Sequence, residues 1–182
     1  MIITISGMAG SGKSTVGRLL ARHLKMKYYC IGDMRRKMAD DLGMSLAEFN
    51  KLGEKEDFTD RQVDEFQEKL GRKEDNFVIV GRTSYHFIPH SVKIFLDVKL
   101  EEGARRIFSQ KRENENFKSL QDAIESIKLR DESDAKRYLK YYGINISDPK
   151  NFDLVIDTTR MPIEKIVDKI AGFVSRERSK DF

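Results

Sequence analysis

Cysteine is almost missing from this 182-residue chain: Cys30 is the only one. No internal disulfide can form, and a reducing compartment is the natural setting. Proline is scarce as well. Pro89, Pro149 and Pro162 are scattered, and there is no repeat, low-complexity block or linker, so the length fits one domain with a real core. Of the histidines, His23 and His90 have no sequence neighbours that suggest a metal or base role. No apolar stretch approaches the roughly 18 residues of a membrane span. The run Met1–Ile5 is too short for a signal h-region and carries no basic n-region. A soluble, cytoplasmic protein is expected. Excess charge is also modest: 34 basic against 30 acidic residues leave a net +4. That balance suits anionic ligands such as nucleotides and argues against nucleic acid as the main partner.

What is present is an alternation of strand and helix patterns within a composition that is 39% hydrophobic and 35% charged. Ile2–Ser6, "KYYCIG", "NFVIVG" (Asn76–Gly81), "VKIFLDV" (Val92–Val98) and "FDLVID" (Phe152–Asp157) read as strands. Between them, Ser14–Leu24, Asp33–Leu42, Thr59–Leu70, Leu100–Phe108 and Ser119–Tyr142 read as helical, the last as one or two helices. "SLAE" (Ser45 to Glu48) is a capping box that opens another helix. Pro162 opens a terminal helix. Near-continuous apolar strands separated by helices predict an α/β three-layer fold, a mostly parallel sheet covered on both faces. Ligands of such sheets bind beyond the carboxyl ends of the strands.

The first such end is the most informative. Gly7-Met8-Ala9-Gly10-Ser11-Gly12-Lys13-Ser14, followed by Thr15, matches G-x-x-x-x-G-K-[ST] between an apolar strand and a helix. The glycines allow backbone N–H groups to converge on an anion at the positive end of a helix. Lys13 then reaches the β- and γ-phosphates and the Ser14 hydroxyl can ligate Mg²⁺. A nucleoside triphosphate, ATP, is the expected cofactor.

The second strand ends in "CIGDMRR" (Cys30–Arg36) and the third in "GRT" (Gly81–Thr83). Asp33 near a helix start is either an N-cap or a site carboxylate, and Arg36 can fork onto a phosphate. Arg82 aims a cation over the sheet's carboxyl edge. Gly32, Asp33, Met34 and Arg36 match the S-T-G-D-M-L-R of nucleoside monophosphate kinases, which this part of the chain resembles; Cys30 and Ile31 stand where those enzymes have Ser-Thr. The resemblance implies that Arg36 holds the acceptor phosphate and that Asp33 orients water on Mg²⁺. It also implies that Arg82 helps hold the acceptor nucleotide. Val80 replaces an acidic residue common in relatives, which leaves the metal to Ser14, Asp33 and the substrate phosphates. Tyr85, His86 and Phe87 either border a base or pack a short helix.

The segment from Arg105 to Tyr138 is rich in arginine. Arg105 and Arg112 are seven apart, as are Arg130 and Arg137, so each pair can share a helix face, with Asp134 placed to brace Arg130. Arg130-Asp131-x-x-Asp134-x-x-Arg137 resembles the R-D-x-x-D-x-x-R of cytidylate kinases, and "YLKYYGINISD" resembles a segment of the archaeal-type members. That resemblance implies that Arg130 and Arg137, with Arg112, close on the transferring phosphoryl group, joined by Lys13 in the catalytic set. It places "LVIDTT" (Leu154–Thr159) near the donor adenine. It also implies a single kinase domain with core 1–30, 73–110 and 129–182, an acceptor-binding helical insertion at about 31–72 and a lid at about 111–128.

The expected function is transfer of the ATP γ-phosphoryl group to CMP or dCMP by a monomer or weak dimer. A different acceptor (AMP, UMP or a metabolite such as shikimate) and an adenylate-kinase-like ATPase acting in RNA or ribosome assembly are the rivals.

Overall fold

The computed structural model of the chain describes residues 1–56, 58–110 and 117–179. Five strands, β1 (Ile2–Gly7), β2 (Lys27–Cys30), β3 (Phe77–Val80), β4 (Val92–Asp97) and β5 (Leu154–Asp157), form one sheet in the order β2-β3-β1-β4-β5. All four pairings are parallel, with Ile5 opposite Val80 on one side and Ile94 on the other. Around the sheet lie α1 (Lys13–His23), α2 (Ile31–Asp41), α3 (Leu46–Gly53), α4 (Phe58–Lys73), α5 (Ser84–Phe87), α6 (Leu100–Ser109), α7 (Leu120–Tyr142) and α8 (Ile163–Arg178). The chain crosses from one side of β1 to the other after β3. The turn following β1 therefore sits at the topological switch point, where such sheets bind ligands.

The alternation of side chains along β1 divides the core. Ile3 and Ile5 face α1 and α8, meeting Val16, Leu20, Ile166 and Ile170. Ile2 joins Phe77 and Ile79 on the opposite face, against Val63 and Leu70 of α4. Thr4 and Ser6 share that face, and each satisfies its buried hydroxyl locally, Thr4 with Ser91 at 3.0 Å and Ser6 by donating to the Gly81 carbonyl at 2.8 Å. A third cluster, Ala9, Ala104, Ile107, Ala123 and Ile127, packs α6 and α7 beneath the turn after β1.

The helix starts follow local chemistry. Ser45 and Glu48 complete the expected capping box of α3. Ser119 accepts from the Asp122 N–H at 3.1 Å to open α7, and Gly143 closes it at φ 67°. Two boundaries shift. α2, expected from Asp33, begins two residues earlier at Ile31, which shortens β2 to Cys30. α7 is one continuous helix, and a lid boundary at 128/129 would cut through its middle.

Polar residues bind these layers together. Asp134 of α7 accepts from Arg137 at 2.5 Å and pairs with Arg82, just beyond β3, at 3.0 Å. Arg137 Nε lies 3.0 Å from Asp60 of α4, and Asp60 in turn pairs with Arg35 of α2. Arg137 also donates to the Asn50 carbonyl of α3 at 3.2 Å, and its side chain is 0% exposed. The arginine expected to close on a phosphoryl group is thus sealed inside the protein, where it neutralises two carboxylates. Removing it takes one of the two cationic partners from each of these buried carboxylates, leaving Asp134 to Arg82 and Asp60 to Arg35. Arg137→Ala is expected to cost about 3–5 kcal/mol in urea unfolding. A loss of about 1 kcal/mol or less, typical of an exposed pair, would contradict this role.

The turn after β1 is tightly packed in its own right. Gly10 has φ +75°, and a Cβ there would lie 2.2 Å from the Gly103 carbonyl oxygen. Gly43 has a similar φ of +66° with open space around it. Gly10→Ala should therefore destabilise by roughly 1–3 kcal/mol more than Gly43→Ala, the difference being the backbone clash. Equal unfolding midpoints for the two variants would show that the contact with α6 is loose.

Candidate active site

A cavity of about 410 Å³ opens at the carboxyl edge of the sheet. One end is built by the turn after β1 and the start of α1. Ala9, Gly10, Ser11, Gly12, Lys13, Ser14 and Thr15 all line it. The first hydrogen bond of α1 runs from the Val16 N–H to the Gly12 carbonyl at 2.9 Å. The N–H groups ahead of it, on Lys13, Ser14 and Thr15, have no intrahelical acceptor, and the helix dipole adds positive potential there. Gly7, at φ +145°, passes so close to the Leu96 carbonyl that a Cβ would lie 2.1 Å from its oxygen. Gly7 and Met8 shape the turn without lining the cavity. Lys13 Nζ donates to the Met8 carbonyl at 2.6 Å, which arches the lysine over the turn. These residues fit a nucleotide's phosphates: a backbone cradle, one ammonium and one hydroxyl.

Three arginines from other parts of the chain join the cradle. Arg36, Arg82 and Arg130 all line the cavity, brought together from α2, the end of β3 and α7. Arg82 is held by Asp131 at 2.8 Å and by Asp134. Burial alone would lower the Arg82 pKa, but the two carboxylates outweigh it and keep the guanidinium firmly charged. Asp134 shows the converse balance. Burial favours its neutral form, while Arg82, Arg137 and Arg130 hold it below the usual carboxylate range. Asp134, expected to brace Arg130, thus serves chiefly Arg82 and Arg137.

Other expected site residues are placed differently. Asp33 pairs with Arg36 and leaves its side chain 56% exposed; it does not line the cavity. Its charge is nevertheless felt at Tyr28, whose hydroxyl donates to the Ser14 carbonyl at 3.2 Å. Arg137 is interior, as described, and Arg112 lies outside the described residues. Of the possible base-bordering aromatics, Tyr85 is buried against Phe152 at 4.7 Å between ring centres, and Phe87 packs on Tyr142 at 5.3 Å. None of Tyr85, His86 and Phe87 lines the cavity. Asp157 is exposed and accepts from the Thr159 N–H at 2.8 Å, the turn role open to it from sequence.

Two groups of cavity residues escaped the sequence reading. Arg106 of α6 donates to the carbonyls of Thr158 and Thr159 at 2.8 and 3.1 Å and to Glu102 at 2.8 Å. Its flat guanidinium is thereby fixed beside the phosphate cradle. Deeper in, Arg35, Asn50, Asp60 and Asp64 form a polar inner wall with Val63 and Tyr138. Burial pushes the Asp64 carboxyl up to about 7, opposed by the Tyr142 hydroxyl and reinforced by the Asp60 charge. A signal for this wall existed. Asp60, Val63, Asp64 and Gln67 recur at helical spacing, so polar groups share the inward face of α4 with an apolar residue.

Comparison with known proteins agrees with this geometry. The family model described as "Cytidylate kinase-like family" matches residues 2–160. A cytidylate kinase from Methanobrevibacter smithii is 37% identical over 166 residues, covering 91% of this chain and 94% of its own. One from Pyrococcus abyssi is 40% identical over 167 residues, covering 91% and 89%. Among solved structures, a shikimate kinase from Acinetobacter baumannii superposes with a TM-score of 0.63 at 16% identity, covering 97% of this chain and 93% of its own. A shikimate kinase from Aquifex aeolicus gives 0.57 at 22%, covering 98% of each. At such identity these two speak for the P-loop kinase fold alone. With a phosphate cradle and three arginines lining one cavity at the sheet edge, and with a family match spanning most of its length, the chain belongs to the cytidylate kinase-like family.

Proposed function

We propose that the protein is an ATP-dependent cytidylate kinase, transferring the γ-phosphoryl group to CMP or dCMP. The observation that carries this reading is the single cavity lined by Lys13 and the start of α1 together with Arg36, Arg82 and Arg130. In this reading those arginines hold an acceptor phosphate in the same cavity as the γ-phosphate held by the cradle. One acceptor oxygen, already ionised at pH 7, attacks the γ-phosphorus, and the bond to the β,γ-bridging oxygen breaks, releasing ADP. No proton has to be removed, so no general base is required. Charge spreads over the equatorial oxygens of the transferring group, and the guanidinium of Arg130 with the ammonium of Lys13 stabilises it. Arg36 and Arg82 align the acceptor. Arg106 offers a planar surface to the donor base.

Among the described residues no three acidic, histidine or cysteine side chains cluster to hold a metal. The fit to Mg²⁺ therefore rests on the Ser14 hydroxyl and on the substrate phosphates, since Asp33, expected to reach the ion through water, is paired with Arg36 and does not line the cavity. Bound there, Mg²⁺ would neutralise charge on the β- and γ-oxygens. We assign α2–α4 to the acceptor-binding insertion within one kinase domain; the lid expected at about 111–128 starts in residues outside those described and runs into the continuous helix α7. The reading places the enzyme in the cytoplasm, in line with its single cysteine, acting as a monomer or weak dimer on a small-molecule nucleotide.

A coupled assay over CMP, dCMP, UMP and AMP should give the highest kcat/KM for CMP or dCMP. Equal use of AMP would overturn the assignment. Arg36→Ala should raise the acceptor KM at least tenfold with kcat largely kept. Arg130→Ala should lower kcat by about 10³-fold or more. Similar small effects from both would reduce the arginine wall to a solvated surface.

A further inference from the structure

The inner wall of the cavity bears on which base the acceptor site takes. Asn50 is 6% exposed, and its Oδ1 accepts from Arg35 Nη2 at 3.0 Å. Arginine has donors only, so the atom of Asn50 that faces it must be the oxygen. Arg35 is itself clamped. It donates to the Thr59 carbonyl at 3.2 Å, pairs with Asp60 and lies over the Phe49 ring at 5.2 Å. The Asn50 amide cannot turn over without breaking this arrangement, and no acceptor for its Nδ2 is found among the described residues. A fixed N–H donor is therefore offered on the cavity wall.

Asp64 offers the opposite character on the same wall. Its Oδ2 accepts from the Tyr142 hydroxyl and its Oδ1 from Gln67 Nε2 at 3.3 Å. Gln67 is oriented in turn by the Ser84 hydroxyl, which donates to its Oε1 at 2.6 Å. Both carboxylate oxygens thus serve as acceptors, the contact from Gln67 is long, and burial disfavours the charge, so a further donor would stabilise it. Ile31 and Val63 supply apolar surface beside the two polar groups. A flat heterocycle placed there would meet one fixed donor and one acceptor that lacks a full set of partners.

We propose that Asn50 and Asp64 are the specificity-determining pair that reads the acceptor base, Asn50 Nδ2–H donating to the ring nitrogen acceptor of cytosine and the Asp64 carboxylate accepting from its exocyclic amine. Uracil inverts both groups. Its ring N–H would face the Asn50 donor and its carbonyl oxygen would face the carboxylate, leaving buried polar groups opposed. The pair selects an amino base over a keto base. Adenine presents the same edge as cytosine, so its exclusion falls to the size of the slot. This inference rests on the site being a nucleoside monophosphate acceptor site.

The test is a set of kcat/KM measurements with CMP, UMP and two CMP analogues, one with hydrogen in place of the exocyclic amine and one with C–H in place of the ring nitrogen acceptor. With the wild-type protein each analogue should be at least tenfold poorer than CMP. Asp64→Asn, whose amide can turn to donate to a carbonyl, should lower the CMP-to-UMP ratio at least tenfold. Arg36→Ala, acting on the phosphate, should leave that ratio unchanged. A wild-type protein that uses CMP but is indifferent to both analogues would overturn the assignment alone. A folded Asp64→Asn with an unaltered ratio would do the same for Asp64, and should that variant fail to fold, the wild-type analogue comparison decides. A wild-type protein that does not phosphorylate CMP would overturn the acceptor reading, and the assignment with it.

Discussion

The alternating ion chain Asp131–Arg82–Asp134–Arg137–Asp60–Arg35 is the constraint on which the rest of this molecule depends. It runs from the end of β3 through α7 to α4 and α2, and it contains three guanidinium groups and three carboxylates. Each inner member has a partner on both sides, which is how buried charges become tolerable. One end of the chain fixes Arg82 on the wall of the cavity. The other fixes Arg35, and through it the amide of Asn50. The elements that carry the acceptor side are thus held in register with the sheet by charge pairs, while the donor side is held by glycine packing against β4 and α6.

That division explains what was legible in the sequence. The donor side is built from consecutive residues. A strand, a glycine turn and a helix start are local, so Gly7 to Thr15 could be read in place, and all five strands fall within two residues of their expected ends. The apolar pattern sufficed for the central strands because β1 and β3 are buried throughout their length, whereas the edge strands β2 and β5 are partly exposed and were read from their β-branched and aromatic residues. The acceptor side is built from residues far apart in the chain. Arg137 and Asp60 meet across 77 positions of sequence. Nothing local to "RDESDAKR" reveals that Arg130 ends on the cavity wall while Arg137 is enclosed. The seven-residue spacing correctly places both on the inward face of α7. It does not say that the face passes from the cavity into the core along its length.

The residues that escaped notice share a physical reason. Asn50, Asp60 and Asp64 are polar groups on inward helix faces, where an amphipathic reading follows only the apolar side chains, and it is the partner helices that make them interior. Arg106 stands beside Arg105 with no local sign that sets the two apart, and Arg105 is exposed and paired with Glu102. One position further on, Arg106 turns inward and caps two carbonyls after β5. Conversely, Tyr85 and Phe87 were open to a ligand role from sequence and are taken up by packing.

The central claim is that donor and acceptor nucleotides occupy one cavity at once, so that the phosphoryl group passes directly between them. A cytidine and an adenosine joined 5′ to 5′ through five phosphates would span both ends, and its inhibition pattern tests the claim most directly. Competition against both ATP and CMP, with affinity exceeding that of either nucleotide alone, is the predicted result. Competition against only one of them, with no gain in affinity, would contradict it.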